Sequence, residues 1–152
     1  MHNALVLIAF SVSTMLLVGC GGGPKSGKGF SLPEGDVEEG RKAFVNLDCH
    51  GCHTVAGIDL PSPVRNYPVA VELGGEVIQV KSYGELATSI INPSHKIAEK
   101  YKTMLEKTDG VSAMKNFNAS MTVDQMIDIV AFLQSRYKKL VPQYQDTYPL
   151  LY

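Results

Sequence analysis

The chain has 152 residues, and 14 lysines and arginines stand against 15 aspartates and glutamates, a formal net charge of −1. A chain this close to neutral, with no basic cluster, has no electrostatic footprint for nucleic acid. The length suits one domain, and there is no internal repeat and no tryptophan.

Residues 5–19, LVLIAFSVSTMLLVG, are a nearly unbroken apolar run, too short for a full bilayer span but suited to the apolar region of a signal peptide. The run closes on Leu17-Val18-Gly19-Cys20, which resembles the lipobox of bacterial lipoproteins. That resemblance implies that residues 1–19 are removed, that the Cys20 thiol takes a diacylglyceryl group, and that the chain is anchored to a membrane. The opening MHN departs from the pattern, offering only the α-amine and His2 where Lys or Arg is usual. An uncleaved anchor with an incidental cysteine is the alternative. The implied location is the periplasmic side of a bacterial membrane. Gly21 stands where Asp would signal inner-membrane retention by analogy with enteric sorting, and inner and outer membranes both stay open.

Residues 20–33 are expected to be a lipidated flexible linker, with GGGPKSGKG at 21–29 as its Gly-rich part. A single domain over 34–140 and a tail over 141–152 follow. Asp36 is placed to cap a helix through about Asp48, with Val37, Gly40, Phe44 and Leu47 on one stripe. This helix leads straight into CHGCH at residues 49–53. LPSPVRNYP, 60–68, holds three prolines and is expected to be extended loop. In PVAVELGGEVIQV, 68–80, Val69, Val71 and Leu73 alternate, and Gly74-Gly75 reads as a two-residue turn. Val77-Ile78-Gln79-Val80 would then be the return arm of a small β-hairpin.

Ser82 and Glu85 have capping-box spacing and open a helix through Ile91, stopped by Asn92-Pro93. Ser94 is placed to cap another from His95 to about Lys107, before the turn at 108–110. Thr122 and Gln125 form a second capping box for a last helix whose apolar stripe is Val123, Met126, Ile127, Val130 and Leu133. Arg136, Lys138 and Lys139 gather at its expected C-terminal end, where the helix dipole favours cations. The tail, VPQYQDTYPLLY, is expected either to lie against the domain as coil or to serve as an exposed docking strap.

CHGCH places two thiols and two imidazoles within five residues, an arrangement open to three chemistries. A thioredoxin-like dithiol needs a strand-to-helix junction in a βαβ unit, whereas this motif follows a helix. A structural zinc site needs two further ligands. The chain has three cysteines in all, and beyond His53 its histidines are His2, His50 and His95. With Cys20 acylated, Cys49 and Cys52 are the only thiols left, and none remains for a structural disulfide. The third chemistry fits fully, because C-x-x-C-H is the attachment signature of haem c. Cys49 and Cys52 add to the two vinyl groups, and His53 ligates the iron from one face. His50, between the cysteines, is expected to face solvent.

The second axial site decides function. A methionine sulfur there favours the ferrous state and closes the iron to substrates, which suits electron transfer. Outside the leader the candidates are Met104, Met114, Met121 and Met126. Met126 lies on the apolar stripe of the last helix, Met121 precedes that helix as a staple, and Met104 falls in a helical pattern. Met114 sits in an irregular loop, free to turn its sulfur toward a metal.

Across residues 35–137 the succession GRKAFVNLDCHGCHTVAG, ELATSIINPSHKIAEKY and MKNFNASMTVDQMIDIVAFLQS resembles class I cytochrome c. The resemblance implies an all-α, cytochrome c-like helical fold around one covalently attached haem, to which this chain would add the β-hairpin. It implies Met114 as the axial iron ligand, Phe117 as the aromatic three residues on, Met121 in the apolar slot, and Phe132-Leu133 as the pair closing the last helix. It also places Gly40, Phe44 and Phe132 where the first and last helices cross, and gives the His53 N–H a proline carbonyl, of Pro61 or Pro63, to donate to. Two departures stand out. Lys115 replaces the proline usual after the ligand methionine, and the segment from Tyr101 to Met114 is longer than usual, which keeps Met104 open as the ligand.

The expected function is that of a membrane-anchored carrier of single electrons between a redox protein donor and acceptor, making no bond in a small-molecule substrate and so not an enzyme. Electrons would pass at the haem edge left uncovered near the thioethers. Lys81, Lys96, Lys100, Lys102 and Lys115 form either a positive rim for an acidic partner or a solvated lysine-rich face. Two alternatives stay open: a haem c subunit of a larger oxidoreductase complex, and a ligand-binding or peroxidase-type haem protein with a labile sixth ligand.

Overall fold

The computed structural model describes residues 29–65, 67, 70–98 and 111–141. The expected leader, Cys20, Met104, most of the expected helix to Lys107 and the tail beyond Val141 lie outside them. The chain divides into two compact units, Met1–Ser31 and Leu32–Tyr152, and the described elements all belong to the second.

Among the described residues, three helices and four very short strands carry the fold. The first helix, α1, spans Val37–Asn46, and the Asp36 carboxylate caps it by accepting from the N–H groups of Glu38 and Glu39. It buries Gly40, Ala43 and Phe44. Asp48 then takes a left-handed conformation, φ 59°, one that Asp tolerates better than most residues, and the chain turns into a 3-10 turn at Cys49–Gly51. Strand β1, His53–Val55, follows at once.

Val71–Leu73 (β2) and Gly75–Val77 (β3) occupy the stretch read above as a hairpin, and this expectation is corrected. The two strands do not pair with each other. β2 runs parallel to β1, with His53 opposite Val71, while β3 runs parallel to a strand at Tyr137–Lys139, β4. Gly74 and Gly75 do have positive φ, +83° and +79°, but the reason is close approach rather than chain reversal. The Gly75 N–H donates to the Arg136 carbonyl at 3.0 Å, and a Cβ at Gly74 would sit 2.8 Å from Arg136 Cβ. The segment is thus an extended tie between the CHGCH strand and the end of the last helix.

The second helix, α2, spans Tyr83–Ile91 behind a full capping box of Ser82 and Glu85 and buries Leu86, Ala87 and Ile90. The helix expected from His95 is absent over 95–98. The Ser94 hydroxyl, read as its cap, instead accepts the N–H of Ser112 at 3.1 Å.

The last helix, α3, spans Val123–Gln134, capped by Thr122 and Gln125 as the spacing implies. Ile127, Val130 and Leu133 of the expected stripe are buried, Met126 is half-buried, and Val123 is exposed. Ile129, Ala131 and Phe132 are buried as well, so the helix is covered on more than one face. It also ends earlier than expected, and Arg136, Lys138 and Lys139 lie beyond it, the last two in β4.

α1 crosses α3 at Gly40, where a Cβ would collide with the Asp128 carbonyl and stand 2.8 Å from Phe132 Cβ. The crossing brings the Phe44 and Phe132 rings edge to face, centroids 5.7 Å apart, and both side chains are fully buried. Across the same contact the Asp36 N–H donates to the Asp128 carboxylate at 2.8 Å. The core is formed by these two helices, one face of α2, and Val55 of β1. No helix among the described residues is long and apolar enough to cross a membrane.

Candidate functional site

The turn after α1 presents Cys49 and Cys52 as free thiols, both half-buried. Burial, and then the neighbouring Asp48 carboxylate, push the Cys49 thiol up to about 11, and the same two causes raise Cys52. A redox dithiol needs the opposite, a thiolate stabilised near neutral pH. Among the described residues no cluster of three His, Cys, Asp or Glu side chains is placed to hold a metal ion. The redox and zinc chemistries left open by spacing alone therefore find no support here.

His53 leads β1, and the parallel register with β2 places its ring beside the Val71 carbonyl, 3.3 Å from Nδ1. A carbonyl oxygen only accepts, so Nδ1 carries the proton and the Nε2 lone pair is left for a metal. The acceptor is Val71, and neither Pro61 nor Pro63, because pairing of β1 with β2 sets the Val71 carbonyl beside the ring. The Phe44 ring stands 6.4 Å from the imidazole, centroid to centroid. Burial holds the His53 pKa below its ordinary value against the opposing pull of the Val71 hydrogen bond, and the Lys81 charge lowers it further.

Two adjoining clefts share Leu47, Cys49, His53, Met114 and Phe117 in their walls. The inner one, about 80 Å³, is an apolar slot completed by Phe44, Leu73, Leu86, Ile90, Met121, Ile129 and Leu133, with Lys81, Ser89 and Tyr137 as its polar members. The outer one, about 760 Å³, is more polar and takes in Cys52, His50, Asp48, Pro61, Arg65 and Tyr67.

Of the four candidate methionines, Met114 lines both clefts and Met121 the inner one, Met126 packs against the core away from them, and Met104 lies outside the described residues. The Met114 N–H is held by the Ser112 hydroxyl at 3.2 Å. Phe117 is buried three residues on, with the Lys115 ammonium 5.1 Å above its ring.

His50 does not face solvent as expected. Its side chain is only 7 % exposed, its Nδ1 lies 3.9 Å from the Asp48 carboxylate, and that nitrogen has no hydrogen-bond partner. Asp48 is itself engaged by the Tyr67 hydroxyl at 2.9 Å, and the Tyr67 ring packs on Gly51 so tightly that a Cβ there would overlap it. The spacing C-x-x-C-H carries no sign of the Tyr67 contacts, which come from a tyrosine fifteen residues past Cys52. Nor did the sequence place Val71, Leu73 and Tyr137 at the site, which they reach through the two strand pairings.

Two free thiols in C-x-x-C spacing, an imidazole with Nε2 left open, a thioether on the same wall and a predominantly apolar slot fit a covalently attached haem. A family model described as Cytochrome c matches residues 37–136, from the first residue of α1 to just past α3. No curated protein and no solved structure matches the chain.

Proposed function

The chain belongs to the cytochrome c family, and from that membership and its N-terminal apolar run we propose that it is a membrane-anchored, monohaem carrier of single electrons. Haem c, bound covalently through the C-x-x-C-H motif, would supply the one-electron chemistry. The observation that carries the reading is the convergence of Cys49, His53 and Met114 on one slot lined mainly by apolar side chains.

Each residue has a separate task. Cys49 and Cys52 would hold the cofactor by thioether bonds, and His53 Nε2 and the Met114 sulfur would ligate its iron. The Val71 carbonyl fixes the imidazole tautomer and ring direction. Phe44, Leu86, Ile90 and Leu133 keep water from the slot, which favours the less charged ferrous centre. With His53 and Met114 both holding the iron, no position would be left for a substrate, which supports a carrier rather than an enzyme. Its partners are a redox protein that donates and one that accepts, met through a small, quickly released interface.

Attachment to the periplasmic side of a bacterial membrane through acylated Cys20 rests on the run ending Leu17-Val18-Gly19-Cys20. The test is fractionation of cells expressing the full chain, with haem detected on denaturing gels. The haem-bearing band should sit in the membrane fraction and move to the soluble periplasmic fraction in Cys20→Ala. A Cys20→Ala protein that stays in the membrane sinks the lipid anchor.

One observation favours a haem c subunit of a larger oxidoreductase complex as a second reading. Ile78, Leu140 and Val141 are exposed at 86, 44 and 76 %, together at the end of the β3–β4 pair, where the Leu140 N–H donates to the Val77 carbonyl. Co-purification of a stable partner that is lost with Ile78→Ser would favour the subunit over a free shuttle.

A further inference from the structure

We propose that Ser94 and Ser112 are positioning residues for Met114, a clamp of two hydroxyls that stands in for the proline this chain lacks after its ligand methionine; the inference rests on the reading of Met114 as an iron ligand above.

A proline at 115 would confine the backbone of the methionine itself, because its ring disfavours helical angles in the residue before it. Lys115 occupies that place and imposes no such limit. A loop without it regains more backbone freedom whenever the sulfur leaves the metal, and that freedom favours the open state. Some other restraint has to hold the methionine.

Hydrogen bonds supply it. The Ser112 hydroxyl accepts the Met114 N–H at 3.2 Å in a part-buried position. The Ser112 N–H in turn donates to the Ser94 hydroxyl at 3.1 Å, across eighteen residues of chain. Ser94 lies three residues past the end of α2 at Ile91, so this bond joins α2 to the methionine loop directly. It closes the base of the stretch from Tyr101 to Met114, the one that runs longer than the family pattern. On the other side of Met114, Asn118 Nδ2 donates to the Ile91 carbonyl at 2.8 Å. The methionine is thus bracketed by two ties to residues 91–94. Between the ties, Phe117 is buried and the Lys115 ammonium lies 5.1 Å from its ring centroid, a contact that holds the lysine to the same loop.

The clamp sets how often the sulfur leaves. An added ligand binds only the open fraction of the protein, so loosening the loop raises its binding in proportion to that fraction.

The test uses the full chain, purified with its haem in detergent, and follows carbon monoxide uptake by the reduced protein, which waits on departure of the sulfur. Ser112→Ala should raise the slow native rate about fivefold, the factor that one net hydrogen bond is worth. Ser112→Thr keeps the hydroxyl and should keep the native rate. Ser94→Ala removes a more exposed bond and should raise the rate about twofold. Because Ser94 acts through Ser112, the double alanine variant should be no faster than Ser112→Ala alone. Ser82→Ala, which loses a cap at the opposite end of α2, should keep the native rate and so separates the clamp from general loosening. A native rate in Ser112→Ala, a threonine variant as fast as the alanine one, a double variant whose rise is the product of the two, or an equal rise in Ser82→Ala overturns the inference. Failure of the methionine reading is distinct, because it would appear in the native protein as a missing methionine–iron band.

Discussion

Replacing Gly40 with Ala adds one methyl group at the crossing of α1 and α3, and two opposite effects compete there. In a helix interior, Ala is favoured over Gly by roughly 1 kcal/mol. The new Cβ, however, would stand 2.5 Å from the Asp128 carbonyl carbon and 2.8 Å from Phe132 Cβ, where ordinary contact begins at 3.4 Å. Neither neighbour is the far end of a flexible side chain, so the helices must part by about 1 Å in an interior that resists such movement. Overpacking of this kind costs roughly 1–3 kcal/mol, and parting the helices also weakens the Asp36 N–H bond to Asp128, worth about 1 kcal/mol. The steric effect wins, and Gly40→Ala should lose about 2 kcal/mol in urea unfolding of the haem-loaded protein. Gly84 in α2 is the internal control, since nothing lies within 4 Å of a Cβ there. Gly84→Ala should be neutral or stabilising by up to about 1 kcal/mol. A Gly40→Ala protein as stable as the native one, or more so, would refute the close crossing.

Ser82→Ala removes the hydroxyl that accepts the Glu85 N–H and should cost about 1 kcal/mol, read from the urea midpoint. Hydrogen bonds from the Ser82 N–H and hydroxyl hold the Glu85 carboxyl below its usual range. Its contribution to stability is therefore complete above the ordinary value of 4.5 and is lost as pH falls through the depressed one. An NMR titration should show Glu85 titrating low in the native protein and less low in Ser82→Ala, which keeps the backbone N–H; identical curves would remove the Ser82 hydroxyl as a cause. In the haem-free chain, the raised Cys49 thiol should alkylate slowly at pH 8 while folded and quickly in denaturant, whereas the mature protein should show no free thiol at either cysteine of the motif. Equal alkylation rates folded and unfolded would contradict the burial.

The parts of the fold that were legible in the sequence are those whose cause is local. Asp36, Ser82 with Glu85, and Thr122 with Gln125 each cap a helix through groups two or three residues away, and all three helices begin where these residues imply. The C-x-x-C-H motif is equally local, since the thiols and the imidazole share one short segment. What was missed depends on distant partners. Gly74-Gly75 satisfies a turn and a close backbone approach equally well, and only Arg136, more than sixty residues away, decides between them. The partner of His53 is set by strand pairing with Val71, and the burial of His50 lies next to a pairing of Asp48 with Tyr67; neither leaves a periodicity to read. The apolar stripe of α3 was read as one face because spacing reports only the side that repeats, whereas Ile129, Ala131 and Phe132 are covered from elsewhere.

The account's central claim is that His53 and Met114 ligate one haem held by Cys49 and Cys52. The most direct measurement is the ferric and ferrous absorption spectrum of the haem-loaded protein beside its Met114→Ala variant, each also exposed to carbon monoxide when reduced. The native protein should show the weak far-red band of methionine sulfur on ferric iron and resist carbon monoxide. Met114→Ala should lose the band and bind the gas while keeping its haem through denaturation. A native protein without the band that binds carbon monoxide at once, or a Met114→Ala variant that keeps the band, would contradict the claim; the first outcome would make the protein a ligand-binding haem protein.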